Sequence, residues 1–167
     1  MIEPGDIGFA HSTGMMGRLI RFGEFLRARR GAAWNHQFIV DRFENDSWYV
    51  IQATLHGVTN DCRLDDVAPE GKIIVMSPPK GVNRTRALAF ARAQVGIGYG
   101  FLTIVAIAFD IVTWDWVPSV RAARKPSWIC SALVNESLRY GGWLHEWLDI
   151  YSVTPAQSYD ALNKQPD

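Results

Sequence analysis

The chain has 167 residues, enough for one domain with a full core and too few for two. Hydrophobic residues make up 48% and charged residues 20%, the balance of a folded globular protein and not of a disordered one. Lys plus Arg and Asp plus Glu both total 17, so no net field draws the chain to DNA, RNA or anionic lipid, and nucleic-acid binding is disfavoured.

Pro4-Gly5 signals a turn, and Asp6 to Ala10 then reads as a short strand. From Met15 to Arg27 the positions Met16, Leu19, Ile20, Gly23 and Leu26 approach helical spacing, which predicts an amphipathic helix with the basic end Arg27 to Arg30 solvated. Two strands follow, one through His36, Phe38 and Val40 and one from Trp48 to Ala53, separated by the turn-forming Glu44-Asn45-Asp46. Lys72 to Met76 is a further short strand, stopped by Pro78-Pro79. Asn83 caps a helix that runs to about Val95 and ends at Gly96. Ser127 to Tyr140 is the next helix, capped by Ser127 and closed by Gly141-Gly142, and Thr154-Pro155 opens a short final one. Strands gathered ahead of helices predict an α+β domain with a small antiparallel sheet.

Other classes are excluded by what the chain lacks. Two cysteines, Cys62 and Cys130, cannot make a disulfide framework, and no Cys/His cluster has zinc spacing, so neither a metal nor a cofactor is expected. The opening Met-Ile-Glu-Pro-Gly-Asp carries an acid and a proline where a signal peptide has basic and then apolar residues. Synthesis in the cytoplasm without Sec export is the expectation, compatible with release by lysis or carriage in a virion. The longest apolar run, Phe101 to Ile111, is broken by Asp110 and falls short of the roughly 20 residues that cross a bilayer, so no transmembrane span is expected. Tryptophan is abundant late in the chain, at Trp114, Trp116, Trp128, Trp143 and Trp147.

Cys130 is the candidate nucleophile. In Pro126-Ser127-Trp128-Ile129-Cys130-Ser131-Ala132 it falls in the first helical turn, where the positive end of the helix dipole stabilises thiolate and backbone N–H groups can hold an oxyanion. The bland alternative is a buried core cysteine, the commonest fate of that residue type. Cys62, flanked by Asp61, Asp65 and Asp66 in what reads as a polar connection, is the weaker candidate and is taken as structural.

His36 is the candidate base. A hairpin centred on Glu44 sets Phe38 opposite Val50, Val40 opposite Trp48, and His36 opposite Gln52. Opposed residues on one face have Cβ atoms ~5 Å apart, close enough for Gln52 to accept from one ring nitrogen and orient the other toward the thiol. A one-residue slip would instead set Ala53 opposite His36. The alternative is a core histidine satisfied by a glutamine. His11 can line the cleft or belong to a helix entry; His56 reads as a turn residue and His145 as a surface or packing residue.

These residues resemble the NlpC/P60 superfamily of papain-like cysteine peptidases and amidases. Ala93 to Gly100 is similar to that family's helix followed by a Gly-x-x-Tyr turn, and Cys130-Ser131-Ala132-Leu133-Val134 to its nucleophile motif, where Cys-Ser-Gly-Leu-Val is common. With the histidine strand Asn35 to Val40 ahead of the cysteine, the order resembles the circularly permuted branch, the YiiX-like and lecithin:retinol acyltransferase-like proteins. Pro4-Gly5-Asp6-Ile7 is similar to that branch's first strand and Val153-Thr154-Pro155 to its closing segment.

The resemblance implies a single papain-like domain over 1–167 in which Cys130 attacks an amide or ester carbonyl, His36 shuttles the proton and Gln52 orients it. Tyr99 matches a tyrosine beside the nucleophile that helps hold the oxyanion, with Ser131 and His11 as further oxyanion or substrate candidates. Many permuted members carry glutamate at the position of Gln52, and a neutral amide stabilises imidazolium less. An apolar insertion at about 101–117 separates Tyr99 from Cys130 and would roof the cleft, bind an acyl chain, dock on a partner, or simply be core. Three functions follow: hydrolysis of a cell-wall peptide, lipid deacylation or acyl transfer through the same thioester, and a non-catalytic module, as in a phage tail or secretion assembly, that uses its Trp-rich C-terminal part as an interface.

Overall fold

The computed structural model describes residues 1–11, 33–98, 129–143, 150 and 153–164. The helix expected from Met15 to Arg27, Tyr99, the 101–117 segment, Trp114, Trp116, Trp128, His145 and Trp147 lie outside them.

The described residues form an α+β arrangement of one antiparallel sheet and three helices. Strands β1 (Ile7–His11), β2 (His36–Glu44), β3 (Ser47–Thr54), β4 (Gly57–Arg63) and β5 (Lys72–Met76) lie in the order β4-β3-β2-β1-β5. Helices α1 (Arg84–Ala93), α2 (Cys130–Tyr140) and α3 (Pro155–Asn163) follow. Their caps match the residues that announce them: Asn83 accepts from the Arg86 N–H, and Thr154 forms a capping box with Gln157 ahead of Pro155. Helix α2 departs from expectation. It begins at Cys130 with Ile129 as its N-cap, and that cap makes no side-chain hydrogen bond.

Strand β4 is a correction. Cys62 reads as lying in a polar connection, but Ala53↔Val58 and Val50↔Cys62 pair Gly57–Arg63 to β3, with an irregularity between. As an outer strand it needs only one apolar face, so Val58 is buried while Asp61 and Arg63 meet solvent.

Both faces of the sheet are apolar. Ile7 and Phe9 of β1, Ile39 of β2, and Ile51 and Ala53 of β3 join Leu88 and Ala91 of α1 and Ala132, Leu133 and Leu138 of α2 in one core. The alternate residues Ala10, Phe38, Val40 and Val50 form a second core with Ala68, closed over by Leu64, Val67, Ile73 and Val75. Gly8 makes that second core possible. A Cβ there would lie 1.9 Å from the Phe38 ring, which is fully buried across the β1–β2 pair. Gly8→Ala is therefore expected to destabilise the fold by about 3 kcal/mol, the upper part of the overpacking range, read as a fall in the thermal unfolding midpoint.

The hairpin register differs from the expected one. Asn45 (φ 50°) and Asp46 (φ 55°) are both left-handed, as a two-residue turn of the mirror-image type requires, and Glu44 pairs with Ser47. The register then shifts between Val40 and Arg42, where Asp41 is the extra residue. Turn and bulge together set Phe38 opposite Gln52 and Val40 opposite Val50, two residues from the expected pairing. The buried Asp41 carboxylate accepts from Arg42 Nη1 at 2.8 Å and Arg92 Nε at 2.7 Å, fastening α1 to the bulge.

Candidate active site

Because the register shift is even, His36 and Gln52 stay on one face and become diagonal neighbours, a spacing that a long side chain spans. His36 Nε2 lies 2.7 Å from Gln52 Oε1. A carbonyl oxygen only accepts, so Nε2 carries the proton and Nδ1 holds the lone pair. That tautomer leaves Nδ1 as the basic nitrogen of the ring. The Cys62 thiol donates to Arg63 O at 3.4 Å.

Burial pushes the His36 pKa below its ordinary 6.5, and the Gln52 hydrogen bond opposes that shift. The ring is therefore neutral at pH 7. The unfolded chain takes up this proton as pH falls through about 6.5, while the folded ring refuses it until a lower pH. In that window the unfolded state holds more protons, so this group's contribution lowers stability as pH drops and is flat above it. A carboxylate at position 52 would favour imidazolium. Gln52→Glu is expected to move the His36 titration upward and Gln52→Leu further downward, read from the ring-proton shifts against pH.

Cys130 is the first residue of α2 and is buried, 4% exposed. Helix geometry offers no acceptor within α2 for the N–H groups of Cys130, Ser131 and Ala132, whereas the Leu133 N–H reaches Ile129 O at 3.0 Å. The buried Ser131 hydroxyl donates to Val153 O at 2.5 Å, tying the start of α2 to the segment before α3.

Hydrogen bonds locate α2 on the sheet. At its C-terminal end Gly141 O accepts from the Asn83 N–H at 2.8 Å. Gly141 lies so close to α1 that a Cβ would meet Val82 Cγ1 at 2.7 Å. Beside Asn83, Arg84 reaches Asp6, whose carbonyl accepts from the Val40 N–H at 2.8 Å. Midway along α2, Asn135 is linked through Ser158 to Gln37. These bonds hold the middle of α2 beside β2 and its C-terminal end beside the start of α1.

The faces differ, however. His36 and Gln52 alternate with Phe38 and Val50 into the second core, while α2 lies against Ile39 and Ile51 on the other face. The structure thus brings His36 and Gln52 together and sets the Cys130 helix on the opposite face of the sheet. Among the described residues no hydrogen bond joins the Cys130 thiol to His36.

His11 ends β1 beside Ala10, which pairs with His36, and its Nδ1–H donates to Ala33 O at 2.9 Å. By alternation with Phe9 it belongs to the helix-bearing face. Cys62 is half-buried in β4, and its pKa is raised by burial first and then by Asp66 and Asp61. Asp65 instead approaches Arg63. Among the buried polar residues, Gln37, Asn135 and Ser158 receive no role from sequence reading. Their only signal is that each is a polar residue at a core position of its element. Among the described residues no helix is long and apolar enough to cross a membrane.

No protein-family model matches the chain, and no curated protein matches it.

Proposed function

We propose that the chain is a papain-like cysteine hydrolase of the permuted NlpC/P60 type. Cys130 attacks an amide carbonyl, His36 takes the thiol proton and returns it to the leaving amine, and Gln52 orients the ring. The observation that carries this reading is the 2.7 Å hydrogen bond from His36 Nε2 to Gln52, which leaves Nδ1 as the basic nitrogen of the ring. Backbone N–H groups of the first turn of α2 would hold the oxyanion, and Tyr99 would assist. Attack forms a thioester on Cys130 and releases an amine; water activated by His36 then releases the acid and restores the thiol.

A cell-wall peptide is the proposed substrate class, from the family resemblance. Incubation with purified muropeptides and, separately, with long-chain fatty-acid esters decides the class. Mass spectrometry should show new amine ends on the peptides and a transient acyl adduct on Cys130. An adduct from the esters alone would move the reading to lipid deacylation or acyl transfer.

A non-catalytic binding module is the second reading. It is favoured by one observation: the imidazole–amide pair and α2 occupy opposite faces of the sheet. In that reading His36 and Gln52 satisfy each other inside the second core, and Cys130→Ala leaves biological activity intact.

A further inference from the structure

The helix-bearing face contains a chain of side chains that the proposed chemistry does not use. Gln37 of β2 and Ser158 of α3 are 0% exposed and Asn135 of α2 is 1% exposed. The Gln37 amide N–H donates to Ser158 Oγ at 3.0 Å, and the Ser158 hydroxyl donates to Asn135 Oδ1 at 2.8 Å. Three elements far apart in sequence thus meet at one hydroxyl. Gln37 is the neighbour of His36 on its strand, and Asn135 shares the helix of Cys130.

The chain is poorly built for stability alone. Gln37 Oε1 and Asn135 Nδ2 are buried without a partner among the described residues, and unsatisfied buried polar atoms cost free energy that an apolar core would not. What these bonds supply is direction. Ile39, Leu133 and Leu138 hold α2 to the sheet by apolar contact, which is not directional. A hydrogen bond at 2.8 Å is directional.

We propose that Gln37, Ser158 and Asn135 are positioning residues that fix the cysteine helix along the histidine strand, so that the final helix sets the separation of thiol and imidazole. This rests on the cysteine-hydrolase reading. Reaction rates fall ~100-fold when a reacting group is misplaced by about 1 Å, so the network acts on rate more than on binding.

The test compares Ser158→Ala with Ser137→Ala. Ser137 is also buried, but its hydroxyl bonds only within α2, to Leu133 O at 2.7 Å, and links no elements. Ser158→Ala is expected to lower kcat ~10-fold or more with KM little changed, to move the alkylation profile of Cys130 to higher pH, and to be rescued by Ser158→Thr. Ser137→Ala should lose stability and keep the wild-type profile. Gln37→Met, which conserves volume and leaves the Ser158–Asn135 bond, should repeat the Ser158→Ala result and replaces it if that variant fails to fold. Wild-type profiles in both Ser158→Ala and Gln37→Met would overturn the positioning role while the hydrolase reading stands. A wild-type Cys130 that alkylates like an ordinary thiol would overturn both.

Discussion

Replacing Cys130 with alanine is expected to lower turnover of a muropeptide amide by about 10,000-fold or more, while Cys62→Ala stays within a few fold of wild type. The asymmetry follows from where the two sulfurs sit. Cys130 opens a helix whose backbone dipoles favour a thiolate and a developing oxyanion. Burial and the carboxylates Asp66 and Asp61 push the Cys62 thiol up, so it is protonated at neutral pH. Steady-state kinetics on the two variants, with unfolding midpoints to show both are folded, reads the difference.

The second large effect is at His36. His36→Ala is expected to cost on the order of 100- to 10,000-fold in kcat, the usual worth of a positioned general base. Gln52→Ala should cost less, because the ring keeps its place between β-sheet neighbours and loses only the bond that selects its tautomer. Gln52→Glu should raise kcat, since a carboxylate stabilises the imidazolium that forms as the thiol gives up its proton. The ranking of the three variants matters more than any one value. A structural histidine bonded to a glutamine for satisfaction would show lost stability in all three and no such order in rate.

Much of the scaffold is legible in the sequence because it rests on local chemistry. Asn83, Thr154 with Pro155, and Gly142 mark helix ends through caps and a left-handed residue; alternation marks β2, and strand-forming runs bounded by turn residues mark β1, β3 and β5. Alternation also puts His36 and Gln52 on a common face whatever the even register, which is why their contact survives a pairing error. The error itself comes from Asn45 and Asp46, which turn as a pair, and from the bulge at Asp41, whose carboxylate is held by an arginine 51 positions away. Nothing near Asp41 in the chain announces that partner. Strand β4 hides behind Asn60 and Asp61, which a one-sided outer strand tolerates. Which face the helices cover is not legible at all. Ile39 with Ile51 and Phe38 with Val50 are equally apolar, so composition offers no choice between them.

The proposed mechanism requires the thiol of Cys130 and the Nδ1 lone pair of His36 to share a proton, although that ring and the cysteine helix lie against opposite faces of the sheet. The most direct measurement is the rate of iodoacetamide labelling of each cysteine against pH, by mass spectrometry, in wild type and His36→Ala. Cys130 should label with a midpoint well below the ordinary thiol value of about 8.5, and His36→Ala should abolish that advantage while the labelling of Cys62 is unchanged. Equal profiles for Cys130 and Cys62, or a Cys130 profile that ignores the loss of His36, would contradict it.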